Sequence, residues 1–121
     1  MDVPLPFKIS RAAEEHILAQ PIDKLPPGFE PGLRLCFASE SRSPAGELTE
    51  KFRGEHFTIA GDLPEQWTKA LSSVKGLIAG REFWIPREVL TALRGKTLTA
   101  RPCDVGYGKH VGTVRDLLVA D

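Results

Sequence analysis

The chain has 121 residues, enough for one domain that closes a hydrophobic core without disulfide staples. Lys plus Arg and Asp plus Glu each number 16, so the formal net charge is zero and the basic surplus typical of nucleic-acid-binding proteins is absent. Two distant cysteines cannot form a disulfide framework, and no run approaches the roughly 18 apolar residues of a membrane span. Without a signal-peptide pattern, we expect a cytoplasmic protein with reduced thiols that binds neither nucleic acid nor membranes.

The first predicted elements are an extended segment and a helix. Residues 3–10, VPLPFKIS, are rich in proline and read as extended. Ser10 is a good N-cap for a helix over residues 11–20, RAAEEHILAQ, which Pro21 ends. Residues 21–31 hold four prolines and one glycine, so they are predicted to form a loop.

A β-hairpin is predicted next. The strand Leu33–Ser39 is followed by an extended run over residues 47–61, ELTEKFRGEHFTIAG, in which Gly54 indicates a bulge or tight bend. The intervening residues 41–46, SRSPAG, have the length and composition of a hairpin connection.

A short helix is predicted over residues 66–74, QWTKALSSV, because its apolar residues share a helical face. Asp62 and Glu65 stand before it at capping-box spacing, and Gly76 and Gly80 are expected to end the helical region.

A strand, a helix and a second strand follow. Residues 81–86, REFWIP, have the alternating apolar pattern of a strand. Pro86 suits the first position of a helix that continues over residues 87–94, REVLTALR. Gly95 fits the left-handed residue after that helix, and residues 96–102, KTLTARP, are predicted to be extended.

The C-terminal segment is predicted to contain a glycine-rich loop, residues 104–112, and a short last helix, residues 114–120, capped by Thr113 and Asp116. The whole order predicts one compact α+β domain over residues 1–121, with a mixed or antiparallel sheet and short helices.

Three segments resemble the A-type iron–sulphur carriers, also called HesB-like proteins. FKISRAAEEHILA (residues 7–19) is similar to the opening strand and Ala-rich helix of that family, and GLRLCFA (32–38) to its glycine-led strand. REFWIPREVLTALRGKTLTA (81–100) resembles its strand, short helix, L-x-G turn and next strand. The resemblance spans about residues 7–101 and leaves a divergent tail, residues 102–121; it implies a HesB-like fold.

The resemblance also implies where cluster ligands would stand. The family uses three cysteines, because soft thiolates suit iron–sulphur centres. The first aligns with Arg42 here, and the other two form a C-x-C pair in the tail, where this chain has only Cys103. Cys36 falls inside a strand, so the resemblance implies a related scaffold without the cluster ligands. The segment 62–80 departs from the family, which has a loop between strands there.

Arg42, with Ser41 and Ser43, is the main candidate for ligand binding. A guanidinium flanked by hydroxyls on a turn can grip a carboxylate or a phosphate. The alternative interpretation is a solvated hairpin turn, which needs no ligand.

Cys36 and Cys103 are candidate metal ligands, with a histidine such as His110 as a third. The close Cys/His spacing of zinc sites is missing, so Cys36 as a small core residue and Cys103 as an inert thiol are the alternatives. His16 and His56 each adjoin a glutamate, but no recognised catalytic motif accompanies them.

Two further features have plain structural interpretations. GYGKHVG (residues 106–112) lacks the pattern of a phosphate-binding loop and is expected to be a turn. Four aromatic residues could line a ligand groove, although their spacing is more typical of a core: Phe57, Trp67, Phe83 and Trp84.

The leading hypothesis is a non-catalytic module that binds a protein partner or a ligand and holds no cofactor. The first alternative is a true iron–sulphur or metal carrier that uses Cys103, and Cys36, across the subunits of a homodimer or larger oligomer. The second is an enzyme of unknown type, expected to show a deep polar pocket containing His56, His110 or Arg42.

Overall fold

The computed structural model describes residues 5–105 and 114–121, without the side chains of seven residues between positions 38 and 53. Along the chain, the strands and helices of the described part are β1 (Lys8–Ile9), α1 (Arg11–Leu18), β2 (Glu30–Arg42), β3 (Leu48–Asp62), β4 (Val74–Ile78), β5 (Arg81–Ile85), α2 (Arg87–Leu93), β6 (Thr97–Asp104) and β7 (Val114–Ala120). A 3₁₀ turn at Ile22–Lys24 and a π-helical turn at Gln66–Ala70 complete these elements. Within residues 5–105 and 114–121, no helix is long and apolar enough to cross a bilayer.

All the strands of the described chain join one seven-stranded mixed sheet, in the order β1-β6-β7-β3-β2-β5-β4. β1 with β6 and β2 with β5 run parallel, and the other neighbours run antiparallel. With its few short helices this is a single compact α+β domain, as predicted.

Both predicted helices near the family-like motifs are present and pack on the same face of the sheet. In α1 the Ser10 Oγ accepts a hydrogen bond of 3.1 Å from the Ala13 N–H, which is the predicted N-cap. α2 begins one residue later than expected, because Pro86 is its N-cap and not its first helical residue. Gly95 adopts the predicted left-handed conformation, with φ of 72°.

The hydrophobic core lies between those helices and one face of the sheet, which we call the helix face. Removing a large apolar side chain from water stabilises a fold by about 1.5–3 kcal/mol, so this layer supplies most of the driving force. Its fully buried members from strands and helices include Ile17, Leu33, Ile78, Ile85, Val89, Leu93, Leu98 and Leu118. On the opposite face a smaller cluster joins Val105, Leu117 and Val119 with the partly buried Phe52 and Cys103.

The predicted hairpin is present and is longer than expected. β2 and β3 pair from Glu30↔Asp62 to Arg42↔Leu48, with register shifts at Cys36/Ala38 and Ser41/Arg42. Residues 37–51, which we call the arm, extend past the neighbouring strands, and within the described residues no third strand pairs with them.

The helix predicted over residues 66–74 is wrong beyond its first turn. The π-helical turn ends at Ala70, and Val74 starts β4, which pairs with β5 and contains Gly76. The expected capping box is also absent, because the Asp62 Oδ1 accepts from the neighbouring Leu63 N–H at 2.8 Å. Pairing with β5 stabilises residues 74–78 as a strand more than the intrinsic helix propensity of the segment stabilises a helix.

The helix predicted over residues 114–120 is also wrong, because these residues form β7. β7 pairs with β6 from Leu98↔Ala120 to Asp104↔Val114 and buries Leu117, Leu118 and Val119 in succession. A sheet flanked on both faces buries consecutive residues, a pattern that sequence alone cannot separate from a helix. The predicted cap Thr113 and the glycine-rich loop at 106–112 lie outside the described residues.

Candidate functional site

The Arg42 site lies at the far end of the arm, on a tight turn. The Ser43 N–H donates to the Glu47 carbonyl at 2.9 Å, and the Glu47 N–H donates to the Ser43 Oγ at 3.2 Å. Arg42 Nη1 donates to the Gly46 carbonyl at 3.2 Å, which holds the guanidinium against this turn. The side chain of Ser41 lies outside the described residues.

Arg42 already has a carboxylate neighbour on its own strand. Its Nη2 lies 3.6 Å from the Glu40 Oε2, with 57% and 42% of the two side chains exposed. An incoming carboxylate or phosphate would therefore compete with Glu40 for the guanidinium, in a setting where an ion pair contributes at most about 1 kcal/mol. The geometry suits an exposed mixed-charge contact better than a closed anion pocket.

Phe37, at the base of the arm, is the most exposed large apolar residue of the described chain, at 65%. Phe37 lies in the bulge between Cys36 and Ala38. A bulge changes the direction in which the side chain of the bulged residue points. The sequence pattern places Phe37 in a strand but does not indicate its exposure, because exposure depends on where neighbouring strands end.

The two cysteines are free and lie on different strands. Cys36, partly buried in β2, has its Sγ 3.6 Å from the Thr58 Oγ1, and the Cys103 Sγ in β6 lies 3.5 Å from the Arg101 carbonyl oxygen. The strand registers put both on the face opposite the helices, with β3 and β7 between them.

The two strands between β2 and β6 keep the Cys36 and Cys103 thiols of one chain apart. Three inter-strand steps amount to roughly 14 Å, whereas two sulphurs on one metal ion lie within about 4.6 Å of each other. Among the described residues, no group of three or more His, Cys, Asp or Glu side chains could hold a metal ion. His110 lies outside those residues.

His56 is a buried side chain of the sheet. It is 1% exposed, its Nδ1 lies 2.9 Å from the Gly54 carbonyl oxygen, and its ring meets Phe52 edge-on at 5.1 Å. This backbone contact and the aromatic packing indicate a structural role.

Three of the four aromatic residues singled out from the sequence are buried in the interior, and the fourth forms a polar cluster. Trp84, partly buried, donates from Nε1 to the Glu30 Oε1 at 3.0 Å, and Lys75 Nζ lies 4.9 Å from its ring centroid. Trp67 donates from Nε1 to the Glu30 carbonyl at 2.9 Å. Glu30 thus ties the π-helical turn to the sheet, and no sequence pattern marked it.

Neither His56 nor Arg42 lines any of three clefts in the described part of the chain. The first, of about 410 Å³, lies between residues 5–8 and 95–97. The other two, of about 390 and 190 Å³, adjoin along β3 and share Gln20 and Ile59. These three clefts therefore differ from the polar pocket around His56 or Arg42 that an enzyme was expected to show.

Comparison with known proteins gave no match: no protein-family model, no curated protein and no solved structure corresponds to this chain.

Proposed function

We propose that this chain is a non-catalytic cytoplasmic binding module that contacts a protein partner through its arm. The observation that carries the proposal is the arm itself, with Phe37 exposed at its base and Arg42 at its far end. The strands β2 and β3 have 13 and 15 residues, against about 5–6 in an average strand, and the residues of the arm extend beyond the strands on either side.

The proposal includes a scaffold like that of the A-type iron–sulphur carriers. It is supported by the order of elements: β1 and α1 after the Ser10 cap, a strand that contains Gly32, and β5, α2, Gly95 and β6 in succession. The segment 62–80 differs from the expected loop, since it holds the π-helical turn and β4.

Loss of the cluster ligands is supported by the positions of the residues in their place. Arg42, aligned with the first family cysteine, pairs with Glu40, and Cys103 lies within β6. A guanidinium binds carboxylates and does not ligate iron, so the arm would contact a partner where the family would hold metal.

One observation favours the alternative of a true carrier. Cys36 and Cys103 share one face of the sheet, so two copies facing each other could bring a thiol of one chain beside a thiol of the other. Anaerobic reconstitution with iron and sulphide, followed by metal analysis and native mass measurement, separates the two functions. We expect no stoichiometric visible absorption, and absorption that Cys103→Ser abolishes would establish the alternative.

The arm is tested by photo-crosslinking in cells. Benzoylphenylalanine in place of Phe37 should give one discrete protein adduct that Arg42→Glu weakens. The matched control carries the same group in place of Leu77, another apolar strand residue, which is 48% exposed. Equal adducts from both positions, or none from position 37, would contradict the proposal.

A further inference from the structure

A second feature, independent of the arm, lies where β3 and β7 diverge. These neighbours share one bridge pair among the described residues, Phe57↔Leu118. β7 stays paired with β6 along its whole length, and β3 stays paired with β2, so the two halves of the sheet part beyond this bridge.

The two adjoining clefts along β3 occupy this gap, and we call them together the β3 groove. They are lined by the consecutive β3 residues 57–61 and, across the gap, by the consecutive β7 residues 115–118. Successive strand residues point to opposite faces, so a cleft that touches all of them opens onto the strand edges themselves. Among the described residues, β3 pairs at positions 58–61 with β2 alone, so its other edge there lacks a strand partner.

The groove has a polar part and an apolar end. Asp116, His16 and Arg115 line the larger cleft. Arg115 has an interaction partner, whereas within the described chain the Asp116 carboxylate and the His16 ring form no hydrogen bond or ion pair. Ile22, Leu25 and Ile59 line the smaller cleft. Gln20 lies at the junction, with its Nε2 donating to the His16 carbonyl at 3.2 Å.

We propose that the β3 groove binds an extended peptide segment of a partner protein, which adds to the edge of β3 and carries a basic side chain towards Asp116. An unpaired strand edge favours an extended peptide, because the peptide satisfies main-chain donors and acceptors. The unpaired carboxylate selects a cation, and the Ile22–Leu25 end selects an apolar side chain on the same face of the peptide. In an extended peptide, side chains on one face are two residues, or about 6.7 Å, apart.

The probes are fluorescein-labelled peptides with the cores Thr-Lys-Thr-Val-Thr and Thr-Val-Thr-Lys-Thr, which cover both strand directions, and their Lys→Glu counterparts. Fluorescence anisotropy with the full chain should show binding of one lysine peptide, with the glutamate form at least about tenfold weaker. Asp116→Lys should reverse this preference. Asp116 is exposed, and an unchanged melting temperature checks that the variant folds.

Pairing of the peptide backbone with β3 is tested separately from the contact with Asp116. Methylating the backbone nitrogens on one edge of the bound peptide should abolish binding, whereas methylation on the other edge should not. Amide hydrogen exchange should slow within residues 58–61 when the peptide is added. Absence of binding by both lysine peptides, equal binding of both methylated forms, or protection elsewhere would overturn the proposal. Phe37→Ser should leave peptide binding unchanged, so failure here is distinct from failure of the arm.

Discussion

Replacing Gly32 with alanine tests how the π-helical turn is held on the sheet. A Cβ at this position would lie 2.7 Å from the Trp67 Cη2 and 2.7 Å from the Trp84 carbonyl oxygen. The Trp84 carbonyl belongs to β5, at the one register pair that joins β5 to β2, Gly32↔Trp84. It therefore cannot move without opening the sheet. The indole of Trp67 is fully buried, so it cannot swing away freely.

The expected cost of Gly32→Ala is about 3 kcal/mol of unfolding free energy. Overpacking a tight site costs roughly 1–3 kcal/mol, and expelling a buried tryptophan instead would cost roughly 3–5 kcal/mol. A loss of about 3 kcal/mol lowers the melting temperature of a domain of this size by roughly 10 °C. Urea titration followed by tryptophan fluorescence and circular dichroism measures it directly.

Gly61→Ala is the matched control, because Gly61 also lies in a strand and has no left-handed conformation. The three heavy atoms nearest to a Cβ there all belong to the side chain of the partly buried Leu25, whose methyl groups can rotate aside. We expect a loss below about 1 kcal/mol. If Gly32→Ala is no more destabilising than Gly61→Ala, the close approach of Trp67 is not what requires glycine.

Glu30→Gln should lower the unfolding free energy by about 1 kcal/mol, because it weakens the acceptor of the Trp84 indole N–H; thermal melts that match the wild type would contradict this. Leu118→Ala should cost about 2–5 kcal/mol in urea titrations, since Leu118 is 1% exposed in the core, and a cost below 1 kcal/mol would argue against β7. Thiol titration of the native protein without reductant should find both Cys36 and Cys103 free, whereas detection of an intramolecular disulfide would refute the separation of their strands.

The sequence predicted the elements whose signals are local. Ser10 before an Ala-rich amphipathic run indicates a helix start, and SRSPAG between two extended runs indicates a hairpin connection. Both appear in the structure, as does the left-handed Gly95 after α2. Such signals depend on the backbone within a few residues, so the rest of the fold need not be known.

The two wrong helices failed for one reason. Residues 66–74 and 114–120 have apolar spacings that suit a helix, although Val74 starts β4 and residues 114–120 form β7. The choice is made by β5 and β6, which offer hydrogen-bonding partners from elsewhere in the chain. Propensity contributes a few tenths of a kcal/mol per residue, less than a continuous ladder with buried side chains.

The candidate sites also combine features that local sequence predicts with features that only the tertiary structure decides. The sequence indicated that Arg42 lies near a turn and that Cys36 lies in a strand, but it could not measure the distance from Cys36 to Cys103 or place Glu40 beside the guanidinium. Asp116 was predicted only as a helix cap. Its place in the β3 groove follows from the divergence of β3 and β7.

The sequence by itself therefore determined the class of the domain, the absence of a basic surplus, the N-cap of α1 and the hairpin turn, because each follows from composition or from neighbouring residues. The tertiary structure alone decided the strand order, the exposure of Phe37 and the gap beside Phe57. These features depend on where distant strands end and pair, which is set by the packing of the whole sheet and not by any one segment.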